Sequence, residues 1–107
     1  MQLFYHEKVL SFIKKLQKPA QSKVLHEIEL LEQYGENLGM PHVKKITALL
    51  YELRIHSTQE VRIFYALKED SVILLHGFLK KTQKTPRREI ETAEKRFSAL
   101  DINITYM

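Results

Sequence analysis

The chain has 107 residues, enough to bury one hydrophobic core but not a second domain beside it, so a single domain over 1–107 is expected. It contains no cysteine, which excludes a disulfide framework, a thiolate zinc site and an iron–sulfur cluster and leaves packing to hold the fold. Charge interrupts the opening MQLFYHEKVL before an apolar signal core can form and no window approaches spanning length, so no membrane is expected and a cytoplasmic location is.

The net charge of +4 is unevenly placed. Residues 1–42 hold five Lys/Arg against five Asp/Glu, residues 43–88 ten against four, and residues 89–107 two against four. The central stretch is therefore the basic one, as expected of a surface that meets phosphate.

Residues 2–5 fit an edge strand. Val9, Leu10, Phe12, Ile13 and Leu16 then recur at helical spacing, predicting a short amphipathic helix over 7–17. Lys18-Pro19 ends it, and Pro19 suits the first turn of a second helix to about residue 33, with Val24, Leu25, Ile28 and Leu31 as its apolar stripe. The two predict a helical hairpin. GENLGMP at 35–41 marks the passage to a sheet, and Val43 to Ile46 suits a short extended segment.

Three strands are predicted at 50–56, 60–68 and 72–79, rich in β-branched and aromatic residues and joined by the polar turns STQ and ED. If the apolar sides coincide across the first hairpin, Ile55 faces Val61, Leu53 faces Ile63 and Tyr51 faces Tyr65. Arg54 then lies opposite Arg62. Two arginines across neighbouring strands repel unless something anionic sits between them, an incoming phosphate or a relieving Glu52 or Glu60. The same register carried through the second turn sets Arg62 opposite Gly77, leaving room for a ligand, and puts Lys81 on the Arg62 face with Lys80 on the other.

A last helix is expected from Thr85-Pro86, with Thr85 as N-cap and Ile90, Ala93, Phe97 and Leu100 along one face; residues 101–107 are expected to add an extended edge or to remain disordered. The class is α+β: an N-terminal helical hairpin, an antiparallel sheet of three to five strands and a C-terminal helix.

No phosphate-cradling glycine loop, glycine-flanked serine, cysteine nucleophile or HExxH is present, and the five histidines lack ligand spacing, so neither cofactor nor metal is expected. His56 and His76, on or beside the strands, are the two to watch. Guanidinium and ammonium groups on a sheet bind RNA and can also stabilise the phosphorane of an RNA cleavage, a reaction that needs no metal. Arg54, Arg62, Lys80 and Lys81 are the catalytic candidates, with Lys44, Lys45, Lys84, Arg87 and Arg88 as phosphate contacts. Lys84, Arg87 and Arg88 equally suit the solvated start of the last helix.

The segments YELRI, VRIFYAL and ILLHGFLKKTQKTPRREIETAEKR together resemble the RelE/ParE superfamily of toxins, most closely its HigB-like branch of phage-derived killer proteins, over roughly residues 43–98. The resemblance implies a RelE-like fold and a ribosome-associated, metal-independent mRNA endonuclease that inhibits translation. It implies as partners mRNA on the ribosome and a HigA-like helix-turn-helix antitoxin, in a hetero-oligomeric complex. Arg54, Arg62, Lys80 and Lys81 match the basic positions of such toxins. Several members move protons with a tyrosine or histidine near the C-terminus; Tyr106 is the residue of that kind here, and the general base stays unassigned. The superfamily also holds gyrase poisons, so a ParE-like poison or an inactive nucleic-acid-binding relative is the alternative.

Overall fold

The apolar stripes of the two N-terminal helices and the strand alternation are both satisfied by a sheet with helices on its two faces. The structure, a computed structural model, describes residues 1–99 and, as backbone, 104–106. Strand β1 (Gln2–His6) leads into α1 (Glu7–Lys14) and α2 (Lys18–Tyr34), with Pro19 in the first turn of α2. A single 3-10 turn follows at Gly35–Asn37, then β2 (Val43–Lys45), β3 (Tyr51–His56), β4 (Glu60–Lys68) and β5 (Ser71–Leu79). Helix α3 (Arg87–Ser98) and β6 (Ile104–Tyr106) complete the order.

The α+β class is as expected. The sheet runs β2-β3-β4-β5-β1-β6, six strands among the described residues, and β1 pairs parallel with β5 while its other flank pairs with β6. The first strand is thus interior and not an edge. A parallel neighbour requires a long crossover, and the whole stretch from α1 to β4 provides it.

Both faces of the sheet are buried. Leu53, Ile55, Val61, Ile63, Tyr65, Val72 and Leu74 pack on one side against Val9, Ile13, Val24, Ile28 and Leu31 of α1 and α2. Leu50, Phe64, Ala66, Ile73 and Leu75 pack on the other against Ala93, with Ile90 and Phe97 of α3 at the margin. The expectation of one core side per strand is corrected here, and VRIFYAL carried the sign: apart from Arg62 it is apolar at every position, the pattern of a strand covered twice. Leu100, expected on the same helix face, lies outside the described residues. Among the described residues no helix is long and apolar enough to cross a membrane.

The first hairpin has the predicted register, with Tyr51↔Tyr65, Leu53↔Ile63, Arg54↔Arg62 and Ile55↔Val61 as partners. The second does not. Lys68↔Ser71 through Tyr65↔Leu74 pair as the two-residue turn dictates, with Glu69 taking a positive φ of 55° without help from glycine. The register then slips, because Phe64 pairs with His76 and Leu75 is the extra residue of a bulge. Arg62 therefore faces Phe78, and Gly77 faces Ile63 on the opposite side of the sheet. No ligand space opens at Gly77: a Cβ there would collide with the ring of Phe12, so the missing side chain makes room for α1.

Candidate nucleic-acid interface

Strand alternation divides the α3 side of the sheet in two. Phe64, Ala66, Ile73 and Leu75 form the apolar half under α3, and one step along the strands Glu52, Arg54, Arg62 and Glu60 take over on the same side. The Arg62 side chain is only 5% exposed. Its Nη1 donates to the Val61 carbonyl at 2.9 Å and its Nη2 to Glu60 Oε1 at 3.2 Å. Arg54 lies across from it, partly exposed.

The anion between the two arginines is supplied by the chain itself. Glu52, 1% exposed, places Oε1 3.7 Å from Arg54 Nε and 3.9 Å from Arg62 Nε. Both distances exceed hydrogen-bond length, and the two buried Nε–H groups have no acceptor among the described residues. Glu52 thus offsets charge without consuming those donors. Its Oε2 accepts from Thr85 Oγ1 at 3.4 Å, which ties the lysine-bearing loop to the sheet. Thr85 is therefore not the cap of α3, as expected from sequence; Pro86 holds that position without a side-chain cap.

Beyond Arg62 lies an open cleft of about 380 Å³, lined by Glu60, Arg62, Lys80, Lys81, Thr82 and Gln83. The Lys80 N–H donates to the Glu60 carbonyl at 2.9 Å and so extends the β4–β5 ladder past the end of β5. Since the bulge moves Phe78 onto the Arg62 face, period-two counting continues that face to Lys80 and not to Lys81. The sequence assignment of the two lysines is reversed, although both line the cleft. The cleft joins three of the four catalytic candidates, and Arg54 adjoins it through Arg62.

The phosphate-contact candidates are more dispersed. Lys44 pairs with Glu52 and so shares the face of the arginines, whereas Lys45 pairs with Tyr51 and holds its ammonium 5.6 Å from that ring. Lys84, Arg87 and Arg88 are exposed, and Arg87 Nε lies 3.3 Å from Glu91 Oε1 in a solvated pair. Tyr106 lies on β6 opposite Phe4; its side chain is outside the described residues.

His76 and His56 have different surroundings. His76 places Nε2 2.9 Å from Glu89 Oε1 and Nδ1 3.3 Å from Arg96 Nη1, and stacks on Phe78. Burial pushes its pKa down more than Glu89 pulls it up. These side chains meet both ring nitrogens, while Arg96 Nη1 donates to the carbonyl of the bulged Leu75 at 2.9 Å. His56, more than half exposed, sets Nδ1 2.8 Å from Glu60 Oε1. The sequence reading missed this pair although its register contained it, because the alternation that faces Arg54 with Arg62 also faces His56 with Glu60. Among the described residues no group of three or more His, Asp or Glu could hold a metal ion.

Compared with known families, the chain matches the model for phage-derived Gp49-like proteins (DUF891) over residues 11–98. No curated protein matches it significantly.

Proposed function

The chain belongs to the phage-derived Gp49-like family, which is RelE-like and associated with toxin–antitoxin systems, and from that premise we propose that it is a toxin acting as a ribosome-dependent mRNA endonuclease of the HigB-like kind. The observation that carries this reading is the buried Arg62, anchored at both terminal nitrogens beside Arg54 and opening on the cleft with Lys80 and Lys81. A guanidinium already desolvated and fixed needs little reorganisation when phosphate charge develops in front of it. Its two bonded protons leave one donor on each terminal nitrogen for the phosphate oxygens.

In the reaction the ribose 2′-oxygen attacks its own phosphate, the cations stabilise the phosphorane, and the 5′-oxygen leaves. The protein contributes position and charge, and no metal is required. The partner is a helix-turn-helix antitoxin that silences the toxin until it is removed.

Induced expression should arrest growth, with transcripts cut only while they are translated. Arg62→Ala should lower the cleavage rate on ribosome-bound mRNA by roughly a hundredfold or more, the usual loss for one transition-state donor. Full toxicity of Arg62→Ala at equal expression would remove Arg62 from the site. DNA breaks with intact transcripts would select a gyrase poison instead.

A further inference from the structure

We infer that His56 is the proton-transfer residue of the cleft and that Glu60 is the positioning residue that orients it. This rests on the nuclease reading above, which leaves the general base open. Four of the five histidines are poorly placed for the task. His6 is buried, its Nδ1 accepting the Lys8 N–H as the cap of α1. His26 is exposed on α2, which packs on the other face of the sheet. The His42 ring is held by Glu27 of that same helix at 2.8 Å, and His76 has both nitrogens within reach of Glu89 and Arg96.

His56 alone among them pairs a free ring nitrogen with a carboxylate that also meets the arginine cluster. Its Nδ1 meets Glu60 Oε1 at 2.8 Å, the same oxygen accepts Arg62 Nη2 at 3.2 Å, and Glu60 lines the cleft. Nε2 has no hydrogen bond among the described residues. A carboxylate on Nδ1 fixes the tautomer with its proton there, so the Nε2 lone pair points outward. Burial draws the Glu60 carboxyl up, but the hydrogen bonds and charges of His56 and Arg62 outweigh it and hold the group below its usual range, hence ionised at neutral pH. The charged groups around His56 are Glu60 and Arg62 of β4, Arg54 two residues back on β3, and Lys23 of α2, whose ammonium donates to the His56 carbonyl at 2.6 Å. Glu60 is the acceptor among them.

In the step, Nε2 of neutral His56 takes the proton of the ribose 2′-hydroxyl as that oxygen bonds to phosphorus. The bond from phosphorus to the 5′-oxygen breaks with its electron pair on oxygen, which receives a proton from the ammonium of Lys80 or Lys81. The products are a 2′,3′-cyclic phosphate and a 5′-hydroxyl, and solvent resets imidazolium and amine.

Single-turnover cleavage of ribosome-bound mRNA across pH 5 to 8 tests this with wild type, His56→Ala, His56→Gln, Glu60→Gln and Glu60→Asp. Binding to the same complex carrying a 2′-deoxy residue at the mapped scissile position is measured in parallel. Both His56 variants should lose roughly a hundredfold or more in rate with binding unchanged, and lose the rise in rate from acid to neutral pH. Glu60→Gln should fall less, and Glu60→Asp should recover most of that loss. A His56 variant that cuts at the wild-type rate, or one that is slow but keeps the wild-type pH profile, overturns the inference and leaves the nuclease reading standing. Wild-type protein that cuts nothing overturns both. His56 is exposed, so its variants should keep the wild-type melting temperature.

Discussion

Glu52 decides whether two arginines can occupy facing positions on neighbouring strands. Its carboxylate lies nearly equidistant from both Nε atoms and is almost fully buried. Two desolvated guanidinium groups without that charge would repel across the pair. Glu52→Gln retains the shape and can still meet Thr85, but removes the charge. The expected cost is about 3 kcal/mol, at the low end for a buried pair that loses one partner because Arg54 keeps some access to water. Urea unfolding measures it, and an unchanged midpoint would mean that solvent, not Glu52, screens the arginines. The facing arginines and their candidate counter-charge were legible from the sequence, since alternation and one turn length determine them. That Glu52 lies between the arginines while leaving both Nε donors free depends on side-chain reach, which alternation does not encode.

At the scale of the element, the β5 bulge separates what could be read from what could not. One unpaired residue reverses the facing of everything after it, so Gly77, Phe78, Lys80 and Lys81 all change sides from the sequence expectation. Nothing in VILLHGF marks Leu75 as the extra residue. Its stabilisation comes from a helix more than ten residues away: Arg96 bonds the Leu75 carbonyl and Glu89 meets His76. This docking should depend on pH. Burial pushes down His76 and, with the Arg96 charge as the next cause, His6, so both are held neutral in the fold. Their contribution is present above the unfolded value of about 6.5 and lost as pH falls through the folded values, since the unfolded chain takes up the protons first. The melting temperature should hold between pH 8 and 7 and decline below about 6.5. A His6→Gln, His76→Gln double variant should show a shallower decline over that window; an equal slope would place the sensitivity on other groups.

Across the whole molecule, the basic excess of residues 43–88 proves to be partly spent within the fold. Glu52 and Glu60 stand against Arg54 and Arg62, and Arg87 is met by Glu91, which leaves Lys80 and Lys81 at the cleft, Lys44 on the same sheet face, and the exposed Lys84 and Arg88 for a partner. The two N-terminal helices lie on the opposite side of the sheet, so the antitoxin proposed above would have two separate choices. It can supply carboxylates to Arg54, Arg62 and the cleft that Lys80 and Lys81 line, or grip α1 and α2 and block ribosome entry while the cleft stays open. We expect the first, because a desolvated guanidinium with free donors and adjacent lysines favours an acidic ligand over none. Replacing Arg62 and Lys81 together by alanine should then weaken antitoxin binding by roughly tenfold or more at low salt and by less at high salt, as direct ion pairing requires. Hydrogen-exchange protection confined to residues 7–33 in the complex, with affinity indifferent to the double substitution, would decide for the helical face.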